Sequence, residues 1–137
     1  MLALGGAVGM LRGRVDGLAD GGSQWKQMLL DSHWASILSG ARQRNLPVEI
    51  TRRDAWQLFL QQNQRCALTG FLLVLKPHRG EHRTASLDRI DSKRGYVPGN
   101  VQWVHRDINR LKSDWSTDQF LAMARAVVEF SSTPGSA

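Results

Sequence analysis

The sequence carries a single cysteine, Cys66, among 137 residues. One thiol excludes an intramolecular disulfide and any site that needs several thiolates, and it suits a reducing compartment. Long apolar runs are also missing. Nothing approaches the about 18 to 20 consecutive apolar residues needed to cross a bilayer, so no membrane partner is expected. The opening segment, residues 1–9, is apolar but short. It has no basic residue ahead of it and no convincing cleavage site, so it does not read as a signal peptide. A cytoplasmic protein is the expectation. Acidic residues are scarce as well, 12 against 18 Lys and Arg, which leaves a net charge of +6.

With 42% hydrophobic and 22% charged residues and no long polar tract, the chain can bury one modest core. Its positive charge is concentrated. Between Lys76 and Lys112 nine Lys and Arg (76, 79, 83, 89, 93, 94, 106, 110 and 112) face four acids (81, 88, 91 and 107). That segment therefore holds +5 of the +6. Such confinement points to a polyanionic partner, nucleic acid being the usual one, or else to a solvated basic surface.

Residues 1–23 are glycine-rich and aperiodic, and are expected to form a flexible leader ahead of a single domain over 24–130, with a tail over 131–137. Trp25, Met28, Leu29, Trp34, Ile37, Leu38 and Ala41 recur at helical spacing, as one helix or as two meeting near Ser32. Thr51 with Asp54 approximates a capping box for a second helical stripe through Ala55, Trp56, Phe59 and Leu60. Cys66–Gly70 reads as a turn, and the apolar run Phe71–Leu75 as a strand. Strands are also predicted over Ala85–Ile90 and Asn100–Val104, the latter followed by a helix with Ile108 and Leu111 on one face. Ser116 and Gln119 form a second capping box, opening an amphipathic helix through Phe120, Leu121, Ala124, Val127 and Val128. The five tryptophans lie on apolar stripes or at element junctions and are read as packing.

Three stretches stand at fixed spacing: Asp88-Arg89-Ile90, Asn100-Val101-Gln102-Trp103-Val104, and His105 through Asn109 to Lys112. In this order they resemble the HNH endonucleases. More closely, Leu87 to Asp91 with Gly95-Tyr96 and Gly99-Asn100-Val101 resembles a phage and bacterial subgroup with DRID in that place, in which Cys66–Gly70 also has a counterpart. The resemblance spans Trp34 to Val128. It implies an α+β fold with a ββα-metal core flanked by N-terminal and C-terminal helices. It also implies hydrolysis of phosphodiester bonds in DNA, with RNA left open, and an origin in a phage, mobile element or defence system.

Phosphodiester hydrolysis needs charge neutralised on the phosphate and a water deprotonated near neutral pH. Mg2+ or Mn2+ is held by one or two protein oxygens together with waters and the phosphate. Asp88 can supply an anionic oxygen and Asn109 a neutral one, while Asn100 would pin the intervening loop. The family places its histidine base directly after the aspartate, where this chain has Arg89. A guanidinium cannot accept a proton at physiological pH, though it can grip a phosphate or stabilise developing charge. His82 in the basic loop, His105 four residues before Asn109, or a base-free route with hydroxide remain as alternatives, and His33 is read as structural.

The family's structural zinc uses two Cys-x-x-Cys pairs. Here Cys66 and Thr69, then His105 and Ile108, occupy those places, so no closed zinc site is expected. Cys66 is then a small buried residue, with Leu68, Trp103, Ile108 and Trp115 packing in the metal's stead. Arg83, Lys93, Arg94, Arg106, Arg110 and Lys112 are the expected phosphate contacts. A catalytically inactive, HNH-derived binding module or inhibitor is the rival reading.

Overall fold

The computed structural model describes residues 24–135. The expected leader, residues 1–23, lies outside them. The architecture is α+β. Its elements run α1 (Gln24–Met28), α2 (Asp31–Gln43), α3 (Arg52–Gln61), β1 (Ala85–Arg89), β2 (Val101–His105), α4 (Arg106–Lys112) and α5 (Thr117–Ser131). No helix among the described residues is long and apolar enough to cross a membrane.

The periodic stripe from Trp25 to Ala41 resolves into two helices. The break falls at Leu29–Leu30, where Leu30 takes an extended backbone. Arg52 holds that break: its Nε donates to the Leu29 carbonyl at 2.8 Å, and its guanidinium also pairs with Asp31. Leu29 itself is fully buried. Helix α3 begins at the predicted capping box, with Thr51 and Asp54 exchanging side-chain and backbone bonds. That reciprocal pairing satisfies two of the backbone donors which every helix start leaves open.

β1 and β2 pair antiparallel, with Ala85 opposite His105, Leu87 opposite Trp103 and Arg89 opposite Val101. Leu87 and Trp103 turn into the main core, where Trp103 has no exposed surface. The Trp103 indole meets Phe59 edge-on at 5.8 Å, and its Nε1 donates to the Ala55 carbonyl at 2.8 Å. Gln62, at the end of α3, clasps the Trp103 backbone from both sides. Its Oε1 accepts from the Trp103 N–H and its Nε2 donates to the Trp103 carbonyl, both at 2.8 Å. The sheet and α3 are therefore locked at one residue.

Three expectations are corrected. Phe71–Leu75 forms no strand. Its backbone bonds scatter between Gln64 and Thr84, leaving an isolated Arg65–Leu72 bridge, because Phe71 and Leu72 face solvent while only Leu73 and Leu75 reach the core. Leu111 stands 69% exposed, and the buried residue of α4 is instead Lys112, which the sheet's ionic groups draw inward. Helix α5 does start at the Ser116–Gln119 capping box, but no residue on it is buried and Val127 and Val128 stand exposed. Helical periodicity sets a stripe; it does not say that another element covers it.

The loop from Asp91 to Asn100 is held at both ends. Tyr96 exchanges backbone bonds with Pro47 and Glu49, sewing the loop to the α2–α3 connection. Gly95 is required there, because a Cβ would fall 2.4 Å from the Pro47 carbonyl oxygen and 2.6 Å from its ring carbons. Asn100, 2% exposed, closes the loop from within. Its amide nitrogen donates to the carbonyls of Asp91 and Gly95, and its oxygen accepts from the Asp91 N–H.

Candidate active site

A cleft of about 530 Å³ opens beside β1, the start of α2 and the outer face of α4. Asp88 and Ser86 reach it from β1, and Asn109 from α4. The Asn109 amide nitrogen donates to Ser86 Oγ at 2.7 Å, which fixes the side chain. Its oxygen then has no hydrogen bond among the described residues and stays available as a neutral ligand.

The Asp88 carboxylate is 5% exposed and already partnered at both oxygens. Oδ1 lies 3.1 Å from Lys112 Nζ, and Oδ2 accepts from Gln102 Nε2 at 3.0 Å. Lys112 Nζ also donates to the Arg89 carbonyl at 2.8 Å. Lys112 has no exposed surface, so its expected role as a phosphate contact is overturned. A lysine buried this completely needs a paired carboxylate, and Asp88 is that carboxylate. Each carboxylate oxygen still keeps a second lone pair.

Arg89 is also buried. Its guanidinium donates to the carbonyls of Ser92 and Arg94 and lies 5.7 Å from the Tyr96 ring centre. These bonds tie it to the loop, so it braces the site rather than reaching out to grip a phosphate. Three of the six expected phosphate contacts, Arg83, Arg106 and Arg110, do line the cleft, joined by Arg44 and Arg89. Against these five guanidiniums stand the carboxylates of Asp88 and Asp114, one of them neutralised by Lys112. Arg83 has its pKa lowered by partial burial and then by the neighbouring Arg106 charge. Lys93 and Arg94 are exposed but lie outside the cleft lining.

The two histidines singled out from the sequence are not in this cleft. His82 and His105 line a separate shallow pocket with Thr84, Arg106 and Asp107. His105 falls on the last strand residue rather than inside the helix, and its Nδ1 accepts from the Asp107 N–H at 3.1 Å as the cap of α4. Helical spacing to Asn109 therefore does not bring the two side chains together. Its backbone N–H meets the Cys66 sulfur at 3.2 Å, which leaves that thiol as a buried packing group.

The histidine that does line the Asp88 cleft is His33, from the first turns of α2. It is 5% exposed and packs edge-on against Trp103 at 5.7 Å. Burial and then the charge of Arg83 lower its pKa from 6.5 to about 4, so the ring is neutral at pH 7. Its Nδ1 is buried with no hydrogen-bond partner among the described residues. An unmet polar atom of this kind costs about 1–3 kcal/mol and calls for an explanation. Sequence reasoning missed it because a lone histidine on an apolar helical stripe carries no signal of what lies across the fold.

Among the described residues no group of three or more His, Cys, Asp or Glu gathers into a metal cage. No family model, curated protein or solved structure matches the chain.

Proposed function

We propose that this protein is a metal-dependent endonuclease of the HNH type, hydrolysing phosphodiester bonds in DNA, with β1, β2 and α4 serving as its ββα core. The observation that carries this reading is the convergence of Asp88, Asn109 and five arginines on one cleft. A carboxylate beside a free amide oxygen suits Mg2+ or Mn2+, which keeps waters and takes substrate phosphate oxygens for the rest of its shell. Asp88 and Asn109 are the residues that would hold such an ion, which when bound would neutralise the scissile phosphate and lower the pKa of a water. The chain's own groups do the remainder. Arg83, Arg106 and Arg110 attract and seat the sugar-phosphate backbone. Lys112 and Gln102 fix the direction of the Asp88 carboxylate, and Asn100 with Arg89 holds the loop behind it.

The Asp88–Lys112 ion pair favours one other reading. A carboxylate already neutralised by a buried ammonium binds a cation less readily, as expected of an inactive HNH-derived module that only binds nucleic acid or acts as an inhibitor. Supercoiled plasmid incubated with the protein and Mg2+ or Mn2+ separates the two. Nicking by the wild type, lost in Asn109→Ala and in Asp88→Asn, supports the nuclease. Salt-sensitive binding with no nicking under either metal sinks it and leaves the binding module.

A further inference from the structure

We propose that His33 is the proton acceptor of this cleft, an inference that rests on the nuclease reading of the same site. The position after Asp88 holds Arg89, a group that cannot take a proton, and that guanidinium is committed to the carbonyls of Ser92 and Arg94. His82 and His105 line another pocket, and His105 is further occupied as a helix cap. His33 is the histidine of the Asp88 and Asn109 cleft. It comes from α2, far in sequence from the metal-ligand motif, and enters the site across the Trp103 indole.

Its state suits the role. A proton acceptor must be uncharged at the working pH and must keep hydrogen-bonding capacity that the fold has not used. His33 is neutral at pH 7 and lines the cleft; because its partnerless Nδ1 is shut off from solvent, the accepting atom is the other ring nitrogen, Nε2. Packing against Trp103 holds the ring plane, as a positioned base requires.

The charged groups around it fit as well. Arg44 from its own helix, Arg83 before β1, and Arg106 and Arg110 from α4 line the same cleft, and burial first and then the Arg83 charge keep the imidazole neutral. Asp88 and Arg89 on β1 and Asp114 after α4 complete the ionisable set. When a phosphodiester occupies the cleft its negative charge offsets the arginines, so the ring is a better acceptor with substrate bound than without.

In the step proposed, a water oxygen forms a bond to phosphorus while one of its protons passes to the His33 ring. The ester bond from phosphorus to the departing sugar oxygen breaks with its electron pair, and that oxygen takes a proton from solvent. The imidazolium then returns its proton to solvent, so atoms and charge balance over one turnover.

The test uses the full chain with Mg2+ or Mn2+ and supercoiled plasmid, comparing wild type, His33→Ala and His33→Gln. Circular dichroism identifies the folded variants. We expect nicking to fall about 100-fold or more in both, the lower range for loss of a general base. Free imidazole should restore part of the rate to His33→Ala, which fills the vacated space, and none to Asn109→Ala. Without metal, the ring nitrogen resonances of wild-type His33 should report a neutral imidazole at pH 7 and shift when a DNA duplex is added. Wild-type activity retained by a folded His33 variant, no recovery with imidazole, or a ring found charged at pH 7 each overturns the proposal while leaving the nuclease reading intact. A wild type that binds DNA but never nicks it removes the nuclease reading, and the proton-acceptor role falls with it.

Discussion

Lys112 Nζ stands 3.1 Å from Asp88 Oδ1, and the lysine side chain is wholly shut off from solvent. The last residue of α4 thereby anchors the helix to the end of β1, at Asp88 and Arg89. Removing one member of such a pair leaves the other charge buried alone, which costs about 3–5 kcal/mol. Lys112→Met should therefore lose that much in urea unfolding, and the double variant Asp88→Asn, Lys112→Met should recover most of it. Equal losses in the single and double variants would mean that the charge pairing contributes nothing.

Asn100 makes three bonds to loop backbone from a nearly closed position. Asn100→Ala strips partners from the Asp91 and Gly95 backbone groups, at about 1–3 kcal/mol for the buried ones. Amide exchange should quicken across residues 91–99 and stay unchanged in α3. Protection that stays as slow as in the wild type would show that Tyr96 and Pro47 hold the loop by themselves.

Gly95→Ala tests that closure from outside. The added methyl falls within 2.6 Å of Pro47, where only backbone and a rigid ring could yield. Overpacking of this kind costs about 1–3 kcal/mol, and a lower melting temperature is expected. An unshifted melt would mean that the α2–α3 connection moves aside freely.

Acid should destabilise the fold through His33. Its folded pKa of about 4 lies below the 6.5 of the unfolded chain. The unfolded state therefore binds the proton more readily, so stability is full above pH 6.5 and falls as the pH drops towards 4. About 3 kcal/mol is the most this one group can contribute, at 1.36 kcal/mol per unit. In His33→Leu that part of the acid slope should vanish. A slope identical to the wild type's would assign the acid sensitivity elsewhere.

DNA affinity should divide by position. Arg83→Ala, Arg106→Ala and Arg110→Ala remove charge from the cleft, and each should reduce the slope of log affinity against log salt by about 0.9. Lys93→Ala and Arg94→Ala, outside the lining, should change it less. Slopes that respond equally at all five positions would describe a diffuse basic surface instead of a groove.

Much of this molecule can be read from short-range rules. The Thr51 and Ser116 capping boxes start α3 and α5 where local hydrogen bonding requires them. The strands at Ala85–Arg89 and Val101–His105 follow from alternation, and the first of them carries Ser86 and Asp88 to the cleft. These features depend on residues a few positions apart, whose geometry the backbone itself dictates. Other outcomes needed the assembled fold. Phe71–Leu75 has a strand's composition but forms only the isolated Arg65–Leu72 bridge among the described residues, not a ladder. Leu111 and Lys112 exchange the burial that hydrophobicity assigns them, because a carboxylate waits under the helix end. His105 lost its place in the site by one residue of helix boundary, and His33 gained one from a distant helix. Charge pairing and shared clefts are properties of groups brought together through space. Local sequence sets which groups are available; only the tertiary arrangement decides which of them meet.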